Sequence, residues 1–279
     1  MTQTPIDQSL SRSVVLMSRI RKFLFLVITG LILVACSGQF PNTPAINKSD
    51  PSKPVYRIGI DPSLPPFVSN STSNKKPIGF DIDLFTAVAK KAGINYEFVT
   101  IGTGYENMIT EVRDCQLDGA ISAIPVSPKL ADTLLFSDPY YETSQVIVVR
   151  KGNLAIPDQA SLPGMQVGAL VDSPNQTSLA NIDGVNIQTY DNFHYALQDL
   201  IRANLDAVVS DRPRAVLYSK SIPNNLIILP TSFARVEFAI AICKNNPDLV
   251  KQVNAGLIEV RSNGEYSKIA TKWLLNLDK

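Results

Sequence analysis

The stretch that most constrains the fold is residues 118–151, DGAISAIPVSPKLADTLLFSDPYYETSQVIVVRK. It begins with small and β-branched residues over 119–124, which read as a strand, and breaks at Pro125 and Pro128. Proline has no N–H to give to a sheet ladder, so the strand must stop there. Ser127 is placed to cap the short helical piece that follows over 129–135. A turn, Phe136-Ser137-Asp138-Pro139, and two tyrosines then lead into a second apolar run over 145–150. A strand that ends at prolines leaves polar backbone at the carboxyl edge of its sheet, where open α/β sheets bind ligands. The exit through Asp138-Pro139-Tyr140-Tyr141 into a new apolar run reads as a crossover between two domains.

On both sides of this stretch the hydrophobic pattern alternates between strand and helix. A strand over 56–60 is followed by Asp61, Pro62, Pro65, Pro66 and Phe67, then by a polar loop over 69–77. Ile82, Phe85, Val88, Ala89 and Ala92 recur at helical spacing, and Gly93 closes that helix. A strand over 96–99 and a helix carrying Tyr105, Met108, Ile109 and Val112 precede the strand over 119–124. This β-α-β-α-β order predicts a mainly parallel sheet with crossover helices. After the crossover the pattern restarts, with strands over 145–150, 166–170, 185–190 and 206–210 and helices near 175–181, 192–203 and 212–220. A strand-like run over 236–243 and two helices, 247–262 and 264–275, close the chain. Two α/β units with no long linker predict two lobes facing a cleft, and 279 residues suffice for two modest cores.

The N-terminus reads as an address. Arg19, Arg21 and Lys22 precede an apolar run over 23–35, too short for a comfortable membrane span. Leu33-Val34-Ala35-Cys36 resembles the bacterial lipobox, which implies removal of residues 1–35 as a signal peptide and a lipidated Cys36. The segment before Arg19 is long for such a signal, and translation from Met17 would give a more ordinary one. Residues 36–54, rich in Pro, Asn, Ser and Lys, read as the lipidated cysteine and a flexible tether.

Charge and residue inventory exclude several classes. The net charge is +1, and removing residues 1–35 leaves 22 basic against 24 acidic residues. No basic run with interleaved aromatics points to nucleic acid. His194 is the single histidine and lies in a helical pattern with Phe193, Leu197 and Leu200, so any Ser/His/Asp site would have to use it. No cluster has metal-ligand spacing, and Gly102-Thr103-Gly104 is too sparse to cradle a phosphate. No cofactor or metal is expected.

Several blocks in order carry a resemblance. They are Arg57-Ile58-Gly59-Ile60-Asp61 with Pro65-Pro66-Phe67, Gly79-Phe80-Asp81-Ile82-Asp83-Leu84, Leu117-Asp118-Gly119-Ala120, and Phe136 through Tyr141. Leu205 through Asp211, and Asn263-Gly264-Glu265-Tyr266 with Lys272-Trp273-Leu274, complete the series. From Tyr56 to Leu274 the chain resembles the family 3 extracellular solute-binding proteins, the amino-acid receptors of bacterial ABC importers. The resemblance implies a type II two-lobed α/β fold, two mainly parallel sheets with flanking helices, and two hinge segments near 138–145 and 231–238. Lobe 1 would be 55–141 plus 236–279, and lobe 2 would be 142–235. It implies a monomeric receptor that captures a small ligand by hinge closure, does no chemistry, and hands the ligand to permease and ATPase subunits. A sensory protein without transport and a dehydratase on the same fold are the alternatives.

The same resemblance nominates site residues. Asp61 and Asp211 would hold a ligand amine, Phe67 would pack on the ligand, and Tyr105 and Tyr140 would line the cleft. The family's carboxylate-gripping arginine falls on Leu130, and the hydroxyl- or glycine-bearing positions before it fall on Ala123 and Pro125. The corresponding loop of lobe 2 falls on Ser173, Pro174 and Asn175. The amine half of the site is thus present and the acid half largely absent. Either the ligand is not an ordinary α-amino acid, or Lys129, Arg212, Arg214 or Arg235 takes over. Cys115 and Cys243, both in lobe 1, could pair in an oxidising compartment or remain free.

Overall fold

The structure, a computed structural model, describes residues 50–102, 105–222 and 225–274, apart from the side chains of residues 105, 232 and 233. The signal peptide, Met17, Cys36 and the side chain of Tyr105 lie outside the described residues.

The strands are β1 (Val55–Ile60), β2 (Ser63–Leu64), β3 (Val68–Asn70), β4 (Pro77–Ile78), β5 (Asn95–Thr100), β6 (Gly119–Ala120) and β7 (Leu135–Phe136). They continue with β8 (Tyr141–Arg150), β9 (Gln166–Leu170), β10 (Asn186–Tyr190), β11 (Ala207–Asp211), β12 (Leu226–Phe238) and β13 (Ala241–Ile242). The helices are α1 (Phe80–Ala92), α2 (Tyr105–Arg113), α3 (Pro128–Ala131), α4 (Pro174–Ala180), α5 (Phe193–Ile201), α6 (Arg212–Ser221), α7 (Pro247–Ser262) and α8 (Glu265–Trp273). One five-stranded sheet has the order β5-β1-β6-β13-β7 and the other β10-β9-β11-β8-β12, giving a two-lobed α/β fold. A small antiparallel sheet, β2-β3-β4, flanks the first.

Both sheets are mixed, not simply parallel. In one, β5, β1 and β6 are parallel and β13 is antiparallel to β6 and β7. In the other, β10, β9 and β11 are parallel and β8 is antiparallel to β11 and β12. The reason is topological. The parallel strands of each lobe end at the edge facing the other lobe, and β8 and β13 each carry the chain in across that edge, so they run the opposite way.

The longest strand, β12, was only partly legible, because Pro230 interrupts its apolar run. The register with β8 shifts between Ile228 and Ser232 and again between Ser232 and Arg235. These irregularities accommodate a proline inside a paired strand. Beyond them β8 and β12 pair regularly from Ser144↔Arg235 to Tyr141↔Phe238, where the chain passes between lobes.

Each sheet is covered on both faces, which is why its inner strands are continuously apolar, as in Val146–Val149. Helix α1 packs against α7, where Gly256 sits so close that a Cβ would come 2.6 Å from the Val88 carbonyl oxygen. Gly79, with φ 142°, starts α1 where a side chain would strike the Phe67 carbonyl. Cys115 and Cys243 form a disulfide with Cα atoms 5.3 Å apart. Part of the expected tether is engaged: the Asp50 N–H donates to Asn95 Oδ1 at 3.0 Å and Lys53 Nζ to the Gly93 carbonyl at 3.1 Å.

Candidate ligand-binding site

Four parallel strands finish in or just before an aspartate. Asp61 follows β1, Asp172 lies two residues past β9, Asp191 follows β10, and Asp211 ends β11. Because each sheet presents its carboxyl edge to the other lobe, these aspartates converge on one cavity of about 640 Å³. That volume suits a small molecule. The first lobe also contributes Ser122, Ala123 and Pro125, and the second contributes Gln145, Ser173, Asn175 and Arg214. Gln145 is directly opposite Asp211 in the antiparallel β8–β11 register, which brings both polar side chains to the same end of the sheet.

Most of these groups are already engaged. Asp61 donates its N–H to Ser122 Oγ at 2.8 Å, and its Oδ1 accepts from the Ser63 N–H at 2.9 Å and hydroxyl at 2.7 Å. Asp211 caps α6: its Oδ1 accepts from the Arg214 N–H at 3.0 Å, and its Oδ2 lies 3.4 Å from Arg214 Nη2. Ser173 caps α4, accepting from the Gln176 N–H at 3.2 Å and donating to the Leu170 carbonyl at 2.6 Å. Gln145 Oε1, Asn175 Oδ1 and Arg214 Nε are buried with no hydrogen-bond partner among the described residues. Native proteins leave few such groups, and here three of them line one cavity.

Beneath the first-lobe wall lies a buried carboxyl. Ala123 has φ 48°, unusual for a residue with a side chain. Its N–H donates to Asp81 Oδ2 at 2.8 Å, and the Tyr140 hydroxyl donates to the same oxygen at 3.0 Å. Burial raises the Asp81 carboxyl to about 7, against the lowering effect of those two donors. Burial, the neighbouring Asp81 charge and the hydrogen bond to it push the Tyr140 phenol well up.

The expected site residues divide in two. Asp61, Ala123, Pro125, Ser173, Asn175 and Asp211 line the cavity. Phe67, Tyr140 and Leu130 do not. Phe67 is fully buried among Phe80, Tyr141 and Phe238, so it is a core residue rather than a platform for ligand. Tyr140 is turned to Asp81. Leu130 packs against the cluster containing Ile124 and Leu134, because the short α3 lays its apolar side on lobe 1. Of the four bases considered, Arg235 is an exposed partner of Glu142, Lys129 is exposed and Arg212 is half-buried outside the cavity lining, but Arg214 is only 5% accessible and lies in the cavity wall. Sequence reasoning missed Gln145, Asp172 and Asp191. The recurrence of aspartate after successive parallel strands could have found the last two.

The fold and the cavity between its lobes define the class of periplasmic-binding proteins. Residues 56–276 match the model of the bacterial extracellular solute-binding proteins, family 3, and the chain belongs to that family. A probable histidine-binding protein of Neisseria gonorrhoeae is 29% identical over 255 residues, 89% of this chain and 92% of its own length. An ancestral arginine-binding protein bound to arginine shares 34% identity at a TM-score of 0.73, covering 79% of this chain and 98% of that one. The arginine-, lysine-, histidine-binding protein ArtJ of Geobacillus stearothermophilus shares 27% identity at a TM-score of 0.71, covering 81% and 100%. These matches are to binding proteins, and the chain is a ligand-binding protein of the extracytoplasmic side, not an enzyme.

Proposed function

We propose that this chain is the substrate-binding subunit of an ABC importer, capturing a polar amino acid or related amine by closure of two lobes. The observation that carries this reading is the interlobe cavity walled by Asp61 from one lobe and Asp172, Asp191 and Asp211 from the other. A ligand touching both walls stabilises the closed form by the contacts it makes only there. The relatives named for histidine and arginine binding bear on the amine part of the proposal. The lobes are taken as 55–141 plus 236–279 and 142–235, with hinges over 138–145 and 231–238. Cys36 is taken as the lipid anchor, which keeps a monomeric receptor beside its permease and ATPase.

Thermal shift and calorimetric titration of the full chain against the proteinogenic amino acids, polyamines and betaines test the proposal. A ligand at a hundred times its Kd adds about 2.7 kcal/mol to the native state. Binding that is lost in Asp61→Asn and Asp211→Asn supports the site. Binding indifferent to both substitutions places it elsewhere.

A further inference from the structure

Arg214 is the residue of the cavity wall that the fold explains least. It stands in the first turn of α6, at the positive end of the helix dipole, where a cation is unfavourable. It is also buried, so its charge has lost most of its water. A guanidinium carries five N–H donors in a planar fork. Among the described residues its side chain approaches one polar group: Nη2 lies 3.4 Å from Asp211 Oδ2, while Nε has no hydrogen-bond partner. The guanidinium carbon sits 6.0 Å from the centre of the Phe193 ring. That contact steadies the fork without using its in-plane donors. Capping of α6 does not require the fork either. Asp211 Oδ1 accepts the backbone N–H of Arg214, a bond open to any residue there except proline.

Three lining residues have a buried side-chain atom without a partner among the described residues: Gln145 Oε1, Asn175 Oδ1 and Arg214 Nε. All three belong to the second lobe. Gln145 is directly opposite Asp211 in the β8–β11 register, so an acceptor and a carboxylate share one end of the sheet. The Arg214 fork adjoins them. On the first lobe Leu130 packs into the core and Pro125 has no N–H to offer. An α-amino acid carries its ammonium and its carboxylate on a single carbon. Laid head to tail along the Asp211–Arg214 ion pair, it gives each of its charges an opposite one, and neither is desolvated alone.

We infer that Arg214 is the specificity-determining residue for the ligand's carboxylate, and that a free α-amino acid places both charged ends on the second lobe, its ammonium at Asp211 and Gln145. This rests on the proposed receptor function and narrows its substrate class. It moves the acid grip from the Leu130 position of the first lobe to the opposite wall of the cleft.

Calorimetric titration of the full chain with the proteinogenic amino acids, and with the carboxamide of the tightest binder, tests the assignment. The carboxamide keeps the ammonium and the size but loses the negative charge, and should bind wild type about tenfold or more weakly. In Arg214→Gln the amino acid should lose that advantage and the two should bind within about threefold of each other. Arg214→Lys, which keeps the charge without the fork, should retain part of the preference. A preference that survives Arg214→Gln overturns the inference, as does an equal weakening of acid and amide, which is what a purely structural arginine would give. Binding of polyamines or betaines with no amino acid bound also overturns it, and leaves the receptor reading standing. Absence of binding by every probe removes the receptor reading itself. Should Arg214→Gln not fold, a crystal structure of the wild-type complex decides: the ligand carboxylate lies within hydrogen-bond reach of the Arg214 guanidinium, or the inference is wrong.

Discussion

Replacing Asp81 by asparagine should change how stability responds to pH. Asp81 is fully buried, and desolvation raises its carboxyl from the ordinary 3.8 to about 7. Between those values the folded state holds a proton that the unfolded chain has released. The stability associated with that proton is therefore complete below about pH 4 and is lost as pH rises through about 7. Integrated from pH 5 to pH 8, one such group lowers the unfolding free energy by about 2–3 kcal/mol. Asparagine can accept from the Ala123 N–H and the Tyr140 hydroxyl as Oδ2 does, but its amide N–H groups would replace Oδ1, which has no partner among the described residues. That defect costs about 1–3 kcal/mol and does not depend on pH. Asp81→Asn should thus be less stable than wild type at pH 5 and draw level with it, or pass it, by pH 8. Urea unfolding followed by circular dichroism at four pH values measures the difference directly. A gap between wild type and variant that stays constant across this range would refute the argument.

Further outcomes follow from single contacts. Paired Cys115→Ser and Cys243→Ser substitutions open a link between residues 128 apart in sequence and should lower the unfolding free energy by about 2–5 kcal/mol, measurable in urea. Gly256→Ala forces a methyl into the Val88 carbonyl and should destabilise the α1–α7 contact by about 1–3 kcal/mol, seen as a lower Tm with ligand affinity kept. Asp211→Asn should weaken ligand binding at least tenfold, since charge-assisted hydrogen bonds contribute about 1.5–3 kcal/mol; an unchanged Kd by titration would contradict its assignment. Cys36→Ala should abolish incorporation of labelled fatty acid into the protein, and labelling that persists in the variant would exclude the cysteine anchor.

Much of the frame is local, and so it could be read from the chain alone. Strand and helix periods, the proline stops after the strand over 119–124 and the glycine ending α1 depend on near neighbours, and they placed two α/β units and Asp61 and Asp211 at strand ends. Other features depend on residues far apart in sequence. Pro230 hid β12, since only pairing with β8, bulged on both sides of Ser232, keeps that segment extended. Phe67 and Tyr140 are aromatic in either role, and only packing against Phe238 and Asp81 made them core residues. Arg214 reads as a surface charge until α6 folds it back onto Asp211. Where donors are consumed is a sum over contacts such as Ala123 with Asp81, 42 residues apart, and Asp61 with Ser122, 61 apart. The sequence by itself determined where polar groups meet strand ends; tertiary structure decided which remain free for a ligand, because hydrogen bonds are made between neighbours in space.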